Sequence, residues 1–201
     1  LSNSSIKSSF IPLNINEFKS QINKINAKNE KVTENQMSNM SNIYKSFLMA
    51  KKDAEDLIYF VEDDYIHENN AIQEMIFTYE KFSSQLKTEL FLCPADYPYL
   101  YTKLEPTNVL IGSSRHWRLV NETLCTFLTS KQILEKNFEK LISMCKYEHY
   151  PFEQPLHEIY KIENCFSSIP SLAIHFTNIN SIFGLSPNVD WEKIWKENEN
   201  Y

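Results

Sequence analysis

The sequence predicts an α/β fold with a mostly parallel central sheet flanked by helices. Two apolar runs without polar alternation, at 57–61 and 89–93, are typical of buried strands, and the first is predicted to be a central strand. A segment with helical spacing of apolar residues lies between them. A strand, a helix and a strand within about 40 residues form a βαβ unit, whose strands run parallel.

Length and composition favour one domain over residues 1–201. The chain has 201 residues and 42% hydrophobic composition, enough for one sizeable core. A net charge of -6, with no basic cluster longer than Lys51-Lys52, argues against nucleic-acid binding. No apolar run approaches the roughly 20 residues of a membrane span, and no signal peptide is visible. We expect a cytoplasmic protein, at most peripheral to a membrane, with residues preceding Leu1.

Cysteine and glycine usage excludes several kinds of site. The four cysteines contain no C-x-x-C pair, which argues against a zinc knuckle and favours a reducing compartment. Gly112 and Gly184 are the only glycines. A Walker loop, a dinucleotide-binding loop and a nucleophile elbow each need closely spaced glycines, so all three are excluded. Any phosphate must therefore be held by a metal, by side chains or by a helix N-terminus.

Periodicity and capping residues predict the remaining elements. Apolar residues at helical spacing predict helices at 36–52 and 72–82, the second capped by Asn70 with Gln73 as its capping-box partner. The weaker predictions are a strand at 9–13, a helix at 16–25, a strand at 108–111, a polar turn at 113–118, a helix at 131–145, a Pro-bounded segment at 151–155, a strand at 171–176 and a helix from Asp190.

An acidic turn, Glu62-Asp63-Asp64, follows the first predicted strand directly. Ligands of open α/β sheets bind beyond the carboxyl ends of strands. Because alternate residues leaving a strand point the same way, we expect Glu62 and Asp64 to converge while Asp63 faces elsewhere. Carboxylates suit Mg²⁺ or Mn²⁺, with substrate phosphate and water completing the coordination. The alternative is a solvated acidic loop.

Residues 50–65 resemble the helix, hydrophobic strand and D-x-D turn of GT-A glycosyltransferases, and the resemblance is clearest over 37–81. It implies a GT-A-like fold and transfer of a sugar from a UDP- or GDP-sugar to a glycan or lipid-linked acceptor, in surface polysaccharide or glycoconjugate synthesis. Asp64 matches the metal-contacting aspartate. Glu62 matches the first acidic position, near the ribose or the metal, where aspartate is commoner. No hydrophobic first strand is identifiable in 1–35.

His175 closes the predicted strand at 171–176. A late histidine supplies another metal ligand in several GT-A families, and imidazole suits transition metals. The resemblance therefore implies His175 as a third ligand beside Asp64 and Glu62. The alternative is a histidine hydrogen-bonded in place.

Further substrate contacts are predicted in two loops. Arg115 and Arg118 can hold a diphosphate, and the intervening His116-Trp117 can stack on a sugar, unless this is a surface hairpin with Trp117 in the core. Asp96 follows another strand and can bond donor-sugar hydroxyls or cap a turn.

Glu153, with Glu158 behind it, is the candidate base for the acceptor hydroxyl, the alternative being a surface acid. Two alternative functions stay open. A nucleotidyltransferase or metal-dependent phosphohydrolase could use the same acidic turn, and a non-catalytic binding or scaffold module could keep a transferase-like fold.

Overall fold

The computed structural model describes residues 9–14, 16, 29–145, 153–177 and 180–199. Within these residues, the helices are α1 (Glu34–Asp53), α2 (Ala71–Leu86), α3 (Lys131–Lys136), α4 (Phe138–Ser143), α5 (Gln154–Tyr160) and α6 (Trp191–Asn198), with a 3₁₀ turn at Pro98–Tyr101. The strands are β1 (Leu57–Phe60), β2 (Tyr65–His67), β3 (Phe91–Cys93), β4 (Val109–Ile111), β5 (His116–Val120), β6 (Phe127–Ser130), β7 (Cys165–Ile169) and β8 (Ala173–His175).

The main sheet has six strands in the order β1-β6-β3-β7-β5-β4, and β2 pairs with β8 in a separate two-stranded sheet. The α/β class is confirmed. The prediction of a mostly parallel sheet is not confirmed, because only β3 and β7 pair in parallel and the other four neighbouring pairs are antiparallel.

The position of β1 corrects the prediction of a central strand. Among the described strands, β1 pairs only with β6 and forms one edge of the sheet. Because β1 and β3 are both antiparallel to β6, they run in the same direction, as a βαβ unit requires. They are not neighbours, however, because β6 inserts between them.

Helices cover both faces of this sheet. Alternate residues of its strands pack into two apolar clusters, one on each face. Phe91 and Phe127 join a cluster that includes residues of α1, α3, α4 and α5. Their neighbours Leu92 and Leu128 join a second cluster built on α2. This alternation follows from the pleat of the strands, which directs successive side chains to opposite faces.

Capping explains where the helices begin. Helix α1 starts two residues before the predicted position because Thr33 and Gln36 form a capping box, with backbone-to-side-chain distances of 3.2 and 3.0 Å. Asn70 is the N-cap of α2, as predicted, but its side chain makes no capping bond, so the proposed capping box with Gln73 is wrong. The helix predicted at 131–145 is split into α3 and α4 at Asn137.

Three further sequence predictions concern residues 9–13, 16–25 and 151–155. Residues 9–13 form no strand, and the helix predicted at 16–25 lies outside the described residues except for position 16. The Pro-bounded segment at 151–155 is described from residue 153, where it leads into α5. In the described part of the chain, no helix is both long and apolar enough to cross a membrane.

Candidate functional site

The acidic turn lines a cavity of about 360 Å³ at the edge of the sheet. Its residues Glu62, Asp63 and Asp64 form one side, with Cys125 near them, and polar and apolar side chains of α1 form the other: Asn39, Asn42, Ile43, Ser46 and Phe47. Asp63 borders the cavity too. A cleft of about 440 Å³ lies near Glu89 and Glu163. Cavity volume alone therefore does not identify the functional site, which must be identified from the side chains that line each cavity.

The two-stranded sheet brings Asp64 and His175 together. Tyr65 is the register partner of His175, and their rings stack with centroids 4.8 Å apart. The backbone N–H of Phe176 donates to the carbonyl oxygen of Asp64 at 2.8 Å. As a result, Nε2 of His175 lies 2.8 Å from Oδ2 of Asp64. Two residues 111 positions apart thus meet side chain to side chain.

A backbone carbonyl sets the orientation of the His175 ring. Nδ1 of His175 donates to the carbonyl oxygen of Phe183 at 2.7 Å. Because a carbonyl only accepts, Nδ1 carries a proton, and in the neutral ring Nε2 presents its lone pair to the Asp64 carboxylate. At 2.8 Å the two atoms either share a proton, as an imidazolium–carboxylate ion pair, or both bind one cation. A backbone acceptor on the second ring nitrogen is also the usual support of a metal-binding histidine.

The distance between these atoms is compatible with one shared cation. Adjacent ligands of an octahedral ion with bonds of about 2.1 Å lie roughly 3 Å apart. Among the described residues, no group of three or more His, Cys, Asp or Glu is arranged to hold a metal ion. Asp64 and His175 would therefore need oxygens from a substrate phosphate or water to complete a shell, which is the usual situation for Mg²⁺.

Glu62 lies beside this pair in an environment that penalises its charge. Its backbone N–H donates to Oγ1 of Thr126 at 3.0 Å, and that hydroxyl lies 3.4 Å from Oε2 of Glu62. Burial, followed by the charges of Asp64 and Glu153, raises the pKa of Glu62 to about 7, against opposing contributions from His175 and Thr126. Additional positive charge at this point would be stabilising.

Glu153 approaches the same turn from the start of α5. Its charge contributes to the raised pKa of Glu62, so the two carboxylates share one electrostatic environment. Burial also raises the pKa of Glu153 itself, with His157 acting in the opposite direction. The residue is half-buried and precedes Gln154, the first residue of α5. The predicted base is thus close to the predicted metal ligands, and its role stays a prediction.

Asp96 and Arg118 pair with each other rather than with the acidic turn. Asp96 is 1% exposed and lies 3.3 Å from Nη2 of Arg118. Tyr101 donates its hydroxyl to Asp96, and its ring lies under the guanidinium at 4.4 Å. Burial raises the pKa of Asp96, opposed by Tyr101 and Arg118. Within the described residues, Oδ1 of Asp96 and Nε of Arg118 are the buried side-chain atoms without a hydrogen bond.

The remaining predicted substrate contacts are Arg115, His116 and Trp117, and two of them are bound within the fold. Arg115 donates to the carbonyl oxygens of Pro170 and Ser171 at 2.9 and 3.1 Å, and it pairs with Glu68. Trp117 is fully buried, so the core alternative is the observed one and its indole cannot stack on a sugar. His116 is exposed at the start of β5.

Two residues of the site carry no sequence signal. Thr126 acts through a hydroxyl 64 positions from Glu62, and Phe183 acts through its carbonyl oxygen, which every residue has.

No protein-family model matches the chain, and no curated protein matches it significantly in sequence.

Proposed function

We propose that the chain is a metal-dependent glycosyltransferase of the GT-A type. It would transfer a sugar from a UDP- or GDP-sugar to a hydroxyl of a glycan or lipid-linked acceptor. The observation that carries the proposal is the contact of 2.8 Å between Asp64 Oδ2 and His175 Nε2, next to Glu62 at the strand-end cavity. The resemblance of residues 37–81 to GT-A enzymes supports the same conclusion.

Asp64 and His175 would hold Mn²⁺ or Mg²⁺ together with phosphate and water oxygens, and Glu62 would contact the ribose. The bound ion would neutralise the diphosphate as it leaves. The carbonyl of Phe183 keeps the lone pair of His175 directed at the ion site. Thr126 accepts from the backbone N–H of Glu62 at 3.0 Å and holds this residue beside the pair.

Glu153 is the proposed base for the acceptor hydroxyl. A general base works best when its pKa lies near the working pH, and burial moves the pKa of Glu153 upwards in that direction. Asp96 and Arg118 are not proposed as donor contacts, because they pair with each other at 3.3 Å and Asp96 is 1% exposed.

The test compares Asp64→Asn with Asp56→Asn. Asp56 is an exposed aspartate that directly precedes β1, whereas Asp64 follows this strand. Both variants make the same chemical change, from aspartate to asparagine. With Mn²⁺ and a panel of UDP- and GDP-sugars, we expect release of nucleotide from one donor. Asp64→Asn should lower this rate by about 10²–10³-fold, whereas Asp56→Asn should not.

The same assay separates the two rival functions. Consumption of nucleoside triphosphates, but of no nucleotide sugar, would identify a nucleotidyltransferase or phosphohydrolase instead. A protein that turns over neither substrate, and whose Asp64→Asn variant behaves as wild type, would be a binding module. Wild-type turnover by Asp64→Asn would refute the proposed role of the acidic turn.

A further inference from the structure

Three aromatic side chains cluster at the surface next to the candidate site. The ring of Phe176 lies 6.3 Å from that of Trp191 and 5.7 Å from that of Trp195. The two tryptophans are spaced by four residues, so they project from the same face of α6. We call Phe176, Trp191 and Trp195 the aromatic platform.

The platform is exposed and held in place. Trp191 and Trp195 are 42% and 45% exposed. Nε1 of Trp195 donates to Glu199 at 2.8 Å, which ties up the polar edge of the indole. The side chain of Asn198 donates to the backbone carbonyl of His67 at 3.1 Å and anchors α6 to β2. A rigid, solvent-facing aromatic surface loses little conformational entropy when a ligand binds.

The platform adjoins the proposed catalytic pair through the backbone. Phe176 directly follows His175, and its N–H is bonded to the carbonyl oxygen of Asp64 at 2.8 Å. The platform is therefore joined to the Asp64–His175 pair through the backbone of Phe176.

We propose that the aromatic platform binds a saccharide ring of the acceptor. One face of a pyranose ring presents mainly C–H groups, which pack on aromatic rings, while its hydroxyls remain in water. Exposed contiguous apolar surface commonly marks a binding site. The role as an acceptor site rests on the proposed glycosyl transfer, whereas saccharide binding itself does not.

Charge argues for a saccharide rather than an anionic membrane. Residues 190–199 contain the acids Asp190, Glu192, Glu197 and Glu199, but only the lysines Lys193 and Lys196. Peripheral membrane helices instead combine their tryptophans with a basic polar face. The acidic balance around Trp191 and Trp195 would repel anionic lipid headgroups and leave a neutral sugar unaffected.

The test is retention of the full chain on arrayed mono- to tetrasaccharides ending in hexose, N-acetylhexosamine or deoxyhexose. It is run in EDTA without nucleotide, so its outcome does not depend on metal, donor or turnover. We expect binding to at least one terminal sugar class. Each of Trp191→Ala and Trp195→Ala should weaken it about tenfold, because one lost aromatic contact has roughly that effect on affinity.

Two variants control for loss of folding and for nonspecific binding to exposed aromatic side chains. Trp195→Phe keeps an aromatic face and should retain most of the binding. Phe77→Ala removes an aromatic ring that is 47% exposed on α2 and should change nothing. Tryptophan fluorescence gives a second readout: Trp117 is fully buried, so the bound sugar should alter only the emission of Trp191 and Trp195.

Three results would overturn the inference. The first is that no glycan is retained. The second is retention that both alanine variants leave unchanged. The third is tryptophan-dependent binding to phosphatidylglycerol vesicles without any glycan binding, which would identify a membrane contact.

Discussion

Glu74 and Glu62 are carboxylates with very different surroundings in the fold. Glu74 of α2 is 4% exposed, and four groups donate to it: the backbone and side chain of Ser114, the hydroxyl of Thr78 and the indole of Trp117. The donor distances run from 2.7 to 3.4 Å. Glu62 has one hydroxyl at 3.4 Å and faces other carboxylates.

The pKa values of the two groups shift in opposite directions. Burial alone would raise the pKa of Glu74, but the hydrogen bonds from Ser114, Thr78 and Trp117 more than offset it and lower the pKa. Burial and like charges raise the pKa of Glu62 to about 7. Glu74 is therefore satisfied and holds the turn after β4 on α2, whereas Glu62 forms no ion pair among the residues that the structure describes. A carboxylate of the second kind, at a cavity, is the one that indicates a binding function.

The largest effect that follows from this comparison is on stability. Glu74→Ala should lower the free energy of unfolding by about 3 kcal/mol, because it leaves buried donors unpaired and a cavity beside Trp117. Denaturant unfolding at neutral pH measures the change. Glu80→Ala, on an exposed face of the same helix, is the control and should stay within about 0.5 kcal/mol of wild type.

The pH dependence gives the sign of the Glu74 contribution. Since its folded pKa is lowered, the stabilisation is complete above the unfolded pKa and disappears as the pH falls through the folded value. The difference between wild type and Glu74→Ala should therefore shrink at acidic pH. A difference that stays constant or grows on acidification would mean that Glu74 is not held as a carboxylate.

A smaller effect of opposite sign is expected at Glu62. In EDTA, the unfolded chain loses this proton near pH 4.5 while the folded chain keeps it until about 7. Wild type should therefore lose stability between these pH values. Glu62→Gln, which cannot ionise, should become more stable than wild type by roughly 2 kcal/mol at pH 8 and about equal to it at pH 4.

Thermal unfolding of both proteins at these two pH values measures the difference. Asp64, Glu153 and His175, whose charges act on Glu62, are unchanged in the variant, so the difference reports on the Glu62 carboxylate. A Glu62→Gln variant less stable than wild type at pH 8 would show that the carboxylate is already paired.

Local pattern predicted the elements that depend on nearby residues. The cores of α1 and α2, the strands β1 and β3 and the N-cap of α6 at Asp190 follow from periodicity and capping, which act within a few residues. The order of strands depends on pairing across the chain. Strand β6 lies between β1 and β3, with Phe127 and Leu128 packed into the two opposite clusters. Nothing in the sequence near residue 60 indicates this order.

The candidate site divides in the same way. The acidic turn was visible because three carboxylates follow an apolar run, and the resemblance to GT-A enzymes added His175. The hydrogen bonds to Glu74 were not visible, since its partner Ser114 lies 40 positions away. The spacing of Trp191 and Trp195 was a usable signal for the aromatic platform, but the contact with Phe176 needed the folded chain.

The most direct test of the account is binding of Mn²⁺ in the presence of UDP or GDP, followed by electron paramagnetic resonance of the free ion. Wild type and Asp56→Asn should remove Mn²⁺ from solution at a stoichiometry of one ion per chain. Asp64→Asn and His175→Ala should not. Equal Mn²⁺ binding by all four proteins, or none by wild type with either nucleotide, would contradict the claim that Asp64 and His175 hold a metal–nucleotide complex.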